Sequence, residues 1–170
     1  MKSQKDKLFV MKAKLSVFLL LFFLLSCSKD NLCRNEAFCV EVNGKKWWPK
    51  SNDFKSSPLT FHLLDDNNQF WIGAYNGSSS VLVGVIDHTR GIGVGDYVLA
   101  GQTCCSGSYT REHNINFKTD ASHTGKLTIT SLDRVKKTVA GTFYFRGRNS
   151  VTGETVEVTK GSFNGKYSEY

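Results

Sequence analysis

No apolar repeat of helical period persists beyond two turns in this chain, so α-helix is at most a minor component. Proline is scarce, with two residues in 170, and glycine, with fifteen, supplies the punctuation. A Gly-x-Ser-x-Gly nucleophile elbow is missing; Gly161-Ser162-Phe163-Asn164-Gly165 has the wrong spacing. The single Ser-x-x-Lys runs from Ser26 to Lys29, across the end of an apolar leader. The four histidines (His62, His88, His113, His123) are scattered, none two or four residues from another, so no zinc-binding pair stands out. These absences leave no catalytic constellation, no metal site and no implied cofactor, and the expectation is a protein that is not an enzyme.

What the chain does have is aromatic side chains, with 12 Phe, 6 Tyr and 3 Trp. Rings and β-branched residues broken by Gly point to an all-β domain. The length fits a single domain able to bury a full core. The net charge of +7 suggests nucleic acid at first sight. Five lysines (Lys2, Lys5, Lys7, Lys12, Lys14) and Asp6 precede Cys27, and without them +7 falls to +3. The surplus belongs to the leader, and a nucleic-acid partner loses its support.

Residues 15–25 form an uncharged apolar run after Lys12 and Lys14, the pattern of a secretory signal. The run is shorter than the roughly 20 residues a membrane-spanning helix needs. It ends in Leu24-Leu25-Ser26-Cys27, which resembles the lipobox of bacterial lipoproteins. The resemblance implies cleavage before Cys27 and lipid attachment to it, giving a signal peptide at 1–26, a lipidated spacer at 27–36 and a β-domain at 37–170. The implied location is the bacterial outer membrane, held through the lipid at Cys27, with the periplasmic and cell-surface faces both open. Met11 opens a complete leader of its own, so translation from Met1 and from Met11 both remain open, the latter making residues 1–10 an extension.

Four further cysteines, Cys33, Cys39, Cys104 and Cys105, are an even set in an exported chain, as a disulfide framework requires. Their spacing suits neither zinc nor a redox motif, so disulfides come first, free thiols next and metal last. Neighbouring cysteines strain when bonded to each other. The favoured pairing is therefore one bridge from each N-terminal cysteine to the Cys104-Cys105 doublet, among three pairings that four cysteines allow.

From Ala37 onward, apolar and polar residues alternate with period two. Strands are predicted at 37–42, 45–48, 59–63, 69–75, 81–86, 95–99, 126–132, 139–146 and 155–163. Asn43-Gly44 is a hairpin turn, and polar turns lie at 65–68, 133–137 and 149–154. About eight to ten strands make an antiparallel β-sandwich, with a lipocalin-like barrel as alternative. Gly91-Ile92-Gly93-Val94-Gly95 mimics a phosphate loop but leads into a strand, so it reads as a turn. Asp65-Asp66 reads as a solvated turn rather than a paired catalytic or calcium site. Trp47 and Trp48 must face opposite ways on a strand, one toward the core and one outward. With Trp71 and Tyr75 they are the candidate ligand-contact aromatics.

The motifs Asn43-Gly44…Trp47, Gly95…Tyr97…Leu99, Gly141-Thr142-Phe143…Phe145 and Thr159…Gly161…Phe163 resemble those of a set of uncharacterised small lipoproteins from Bacteroidota. That resemblance implies an envelope location and a β fold, and it carries no active site. Three functional readings follow in order. The first is a non-enzymatic binding or accessory module for a glycan or an envelope protein. The second is a structural lipoprotein docking on another envelope protein. The third, a hydrolase, requires a pocket with two convergent acids or an acid and a histidine.

Overall fold

The computed structural model describes residues 37–51, 57–101 and 104–170. The leader, Cys27, the spacer and Cys33 lie outside the described residues. Among the described residues there are twelve strands: β1 (Phe38–Val42), β2 (Lys45–Trp47), β3 (Leu59–Leu64), β4 (Gln69–Asn76), β5 (Ser79–Ile86), β6 (Gly95–Leu99), β7 (Cys105–Arg111), β8 (Ile115–Lys118), β9 (Gly125–Asp133), β10 (Thr138–Arg148), β11 (Thr155–Lys166) and β12 (Ser168–Glu169). Among the described residues the other regular element is a 3-10 turn at Glu112–Asn114.

The strands form one open mixed sheet in the order β12-β3-β4-β5-β7-β8-β10-β11-β1-β2, with β9 also on β10 and β6 on β9. Every strand pairing is antiparallel except β12 on β3. Only Arg148 opposite Lys118 joins β10 to β8. At that narrow junction the sheet divides into two layers, β12-β3-β4-β5-β7-β8 and β6-β9-β10-β11-β1-β2. The edges do not pair with one another, so this is a sandwich and not the closed barrel of the alternative reading.

Side-chain alternation explains the layering. On β10, Val139, Phe143 and Phe145 are buried while Thr142, Tyr144 and Arg146 are exposed, as a sheet with one dry face requires. Rings from both layers meet in the core: Phe163 of β11 lies 5.9 Å from Phe61 of β3 and 5.9 Å from Phe70 of β4. The turns behave as their residues demand. Asn43 and Gly44 have φ of 50° and 74°, as a tight hairpin needs. Asp65, Asp66 and Asn67 all have positive φ, the strain that short polar side chains tolerate best.

Nine strands match the periodic segments, and β7, β8 and β12 are additional. β7 reads Cys-Ser-Gly-Ser-Tyr-Thr-Arg and shows no apolar alternation. Its inward position Gly107 has its missing side chain replaced by a neighbour: a Cβ there would meet the Phe145 ring at 2.6 Å. The alternation exists in space but not in the sequence of that strand.

Candidate functional site

Outward positions of β3, β4, β5 and β7 form one surface. The register aligns His62, Trp71, Gly84 and Ser106 in one row, and Thr60, Gly73, Leu82 and Ser108 in the next. A third row carries Tyr75, Ser80 and Thr110. None of the outward positions on these four strands holds Asp, Glu, Lys or Arg.

Two glycines let the aromatic rings lie against the sheet. A Cβ on Gly84 would sit 2.2 Å from the Trp71 indole, so the ring occupies the place of that side chain. A Cβ on Gly73 would meet the Tyr75 ring at 3.2 Å. One ring face is thus pressed on the backbone, and the other is turned away from it. Tyr75 is 45% exposed, and Trp71 is half-buried. His62 stands beside Trp71 with its Nδ1 covered and without a hydrogen-bond partner among the described residues. Its ring is 5.6 Å from that of Tyr170.

The Trp47-Trp48 pair splits, with Trp47 ending β2 and Trp48 in the segment that follows it. Trp47 packs edge-on against Phe38 at 6.2 Å and donates from Nε1 to Ser79 Oγ at 3.1 Å. Trp48 is 53% exposed. Its carbonyl accepts from Asn76 Nδ2 at 3.0 Å, and Lys50 N donates to Tyr75 O at 2.9 Å. The chain after β2 therefore runs beside the end of β4, at the rim of the Trp71–Tyr75 face. The structure groups three of the four candidate aromatics around one surface and sends Trp47 elsewhere.

Trp47 instead lines a cleft of 420 Å³ beside the β1–β2 turn, opposite Tyr109 and Phe117 of the other layer. Tyr109 and Phe117 stack at 6.2 Å, and the Arg111 guanidinium lies 5.3 Å over the Phe117 ring. Arg111 donates to both Glu154 oxygens, at 2.9 and 3.0 Å. Burial pushes the Tyr109 phenol above its ordinary range. Sequence reasoning missed Tyr109, Arg111 and Phe117 because β7 and β8 lack a legible strand pattern. The run Tyr109-Thr110-Arg111 followed by Asn116-Phe117 was the available signal.

Cys104 and Cys105 are free thiols, so the expected clip from the N-terminal segment to this doublet is not formed. Cys105 follows the register of the inward positions, opposite Val85, and burial pushes its thiol up to about 11. Cys39 is buried on β1 and disulfide-bonded. Both acids of the 65–68 turn are exposed, with Asp65 accepting from Gln69 and facing His88. Asp120 and His123 form an acid–histidine pair at 2.9 Å. The same carboxylate also accepts from the backbone N–H groups of Ser122 and His123, which makes it the staple of a turn. His123 and these amides hold the Asp120 carboxyl below the usual range. Among the described residues no group of three or more His, Cys, Asp or Glu is placed to hold a metal ion.

Neither the curated proteins nor the solved structures contain a match to this chain. A model of one protein family, described as a domain of unknown function (DUF6252), matches residues 37–165, from just before β1 to near the end of β11. The chain belongs to that family, DUF6252.

Proposed function

We propose that this protein is an exported, lipid-anchored binding module whose Trp71–Tyr75 face takes a neutral glycan. One observation carries the reading: a four-stranded outward surface without a charged residue, on which two aromatic rings lie over glycines. The electron-rich face of an aromatic ring attracts the C–H-lined face of a sugar ring. Hydroxyls from Ser80, Ser106 and Thr110 flank the rings and suit the sugar's edge. A charged ligand has no partner on this surface.

Anchoring rests on the leader and Cys27. Each buried CH₂ contributes about 0.8 kcal/mol, and two or more chains hold a protein stably at a bilayer. Labelled palmitate fed to cells should enter the protein and be absent from Cys27→Ala. A variant that kept both label and membrane fractionation would overturn the anchor.

The glycan reading is tested on the full chain in detergent by following tryptophan emission. The probes are neutral hexasaccharides: β-1,4-linked glucose, α-1,6-linked glucose and α-mannose. A saturable shift with one of them, lost in Trp71→Ala while near-ultraviolet circular dichroism of the remaining aromatics is retained, supports the reading. No shift with any probe, or full binding by Trp71→Ala, overturns it. A second reading, docking on another envelope protein, is favoured by β6. This edge strand has exposed Val98 on it and exposed Val94 just before it. A partner crosslinked through position 98 rather than 71 would select it.

A further inference from the structure

We infer that the cleft beside the β1–β2 turn is a second, separate binding site, for a small aromatic anion. Its walls come from both layers, with Trp47 on one side and the stacked Tyr109–Phe117 pair on the other. These rings provide an apolar slot. The volume of 420 Å³ falls within the range of small-molecule sites.

The charge at the cleft fixes the ligand's sign. Lys45, Lys46 and Arg111 line it against one acid, Glu154. Arg111 and Glu154 neutralise each other through a two-pronged contact, which also holds Arg111 flat over Phe117. That leaves Lys45 and Lys46 as the charges without an ion-pair partner among the described residues. Both are exposed on the short strand that carries Trp47. A planar ring entering between Trp47 and Tyr109 brings an anionic substituent toward the ammonium of Lys45, which shares the face of Trp47 on β2, whereas Lys46 takes the other face, opposite Glu41. A carboxylate, sulfonate or phosphate would meet the same chemistry.

This site shares no residue with the Trp71–Tyr75 face, so the two readings stand or fall separately. The test uses the full chain in detergent and three water-soluble probes: phenyl phosphate, inorganic phosphate and benzyl alcohol. They carry ring with anion, anion alone and ring alone. Binding is read by amide chemical shifts in the protein labelled with nitrogen-15. Phenyl phosphate is expected to bind about tenfold or more tightly than either half, a gap of about 1.4 kcal/mol. Its shifts should map to β2, β7 and β8. Lys45→Glu should weaken it by at least a similar factor, and Trp71→Ala should leave it unchanged.

Equal binding of phenyl phosphate and inorganic phosphate would reduce the site to surface charge and overturn the inference. Unchanged affinity in Lys45→Glu, with the spectrum showing the fold intact, would overturn it too. Tyr109→Phe serves as a second, milder probe of the slot: it retains the ring and should keep phenyl phosphate affinity, whereas Tyr109→Ser should lose it. The opposite order would show that the ring is not the contact.

Discussion

The two outward faces of the sandwich are built on the same pleat and carry opposite chemistry. The face on β6, β9, β10, β11 and β1 displays Asp96, Lys126, Arg146, Glu157 and Glu41, several of them paired across strands. Lys126 reaches Asp96 at 2.9 Å and Lys160 reaches Glu41 at 3.2 Å. The face on β3, β4, β5 and β7 has no charge at all and holds its rings over glycine. Both layers bury comparable rows of Phe, Val, Leu and Ile on their inner sides, so the core does not require the difference. Solvation does not require it either, because water favours charge on both. An uncharged aromatic surface of this kind is what the proposed glycan face requires.

The largest effect should come from the core that both faces share, and it sets the scale. Phe145→Ala removes a ring that is 2% exposed and touches the backbone at Gly107. A loss of about 3–5 kcal/mol is expected in urea unfolding. Next comes Gly84→Ala, which places a methyl group where the Trp71 indole lies. Overpacking of this kind costs about 1–3 kcal/mol. Trp71 emission should shift with it and glycan binding should fall. On the other face, the exposed Thr142→Ala should stay within about 0.5 kcal/mol. Equal costs for Gly84→Ala and Thr142→Ala would erase the contrast between the faces.

A chemical probe sharpens the same contrast from the inner side of the uncharged layer. Cys104 is exposed and should be alkylated first. Cys105 is half-buried with its thiol pushed up to about 11. The thiolate is the reactive form, so about one Cys105 in a thousand is reactive at pH 8. Its labelling rate by iodoacetamide should rise about tenfold per pH unit until pH nears that value. Mass spectrometry of peptides without reduction checks this and should show Cys39 bridged. Quantitative labelling of Cys105 at pH 7 within the time taken by Cys104 would contradict the burial.

How much of this was legible depends on whether the chemistry lay along the chain or between strands. β10 could be read directly, since Phe143, Phe145 and their exposed neighbours alternate within one strand. The turns at Asn43-Gly44 and at 65–68 were legible because positive φ selects those residue types. β7 was not, because its inward Gly107 borrows bulk from Phe145 two strands away. The candidate aromatics were legible by type, and Trp47 and Trp48 diverge although β2 already ends at Trp47. That Trp71 and Tyr75 share a face with Trp48 at its rim depends on the pairing of β4 and the path after β2, which no local pattern encodes. The cleft at Trp47 depends on the facing layer in the same way. The disulfide expectation failed at Cys104 and Cys105 for a related reason: counting cysteines says nothing of distance.

The smallest effect belongs to the charged face, and its pH dependence tells what that face is for. Asp96 accepts from Thr128 Oγ1 at 2.7 Å and from Lys126 Nζ at 2.9 Å, and these bonds hold its carboxyl below the ordinary 3.8. A carboxyl held low in the folded state stabilises it above pH 3.8, and this contribution fades as pH falls through the lowered value. The site is fully exposed, so solvent screens most of the gain. Asp96→Asn should therefore lower the urea midpoint slightly and evenly from about pH 5 to pH 8. The gap should close as the wild-type carboxyl itself becomes protonated, and it should also shrink in about 1 M salt, where screening acts over about 3 Å. A gap that persisted at pH 2 would mean that Asp96 acts through its shape rather than its charge. If it closes, the charged face is a set of replaceable, weak pairs serving solubility, whereas the uncharged face depends on individual glycines and rings. Only the second kind of surface constrains the sequence strand by strand, which is what the proposed glycan face would need.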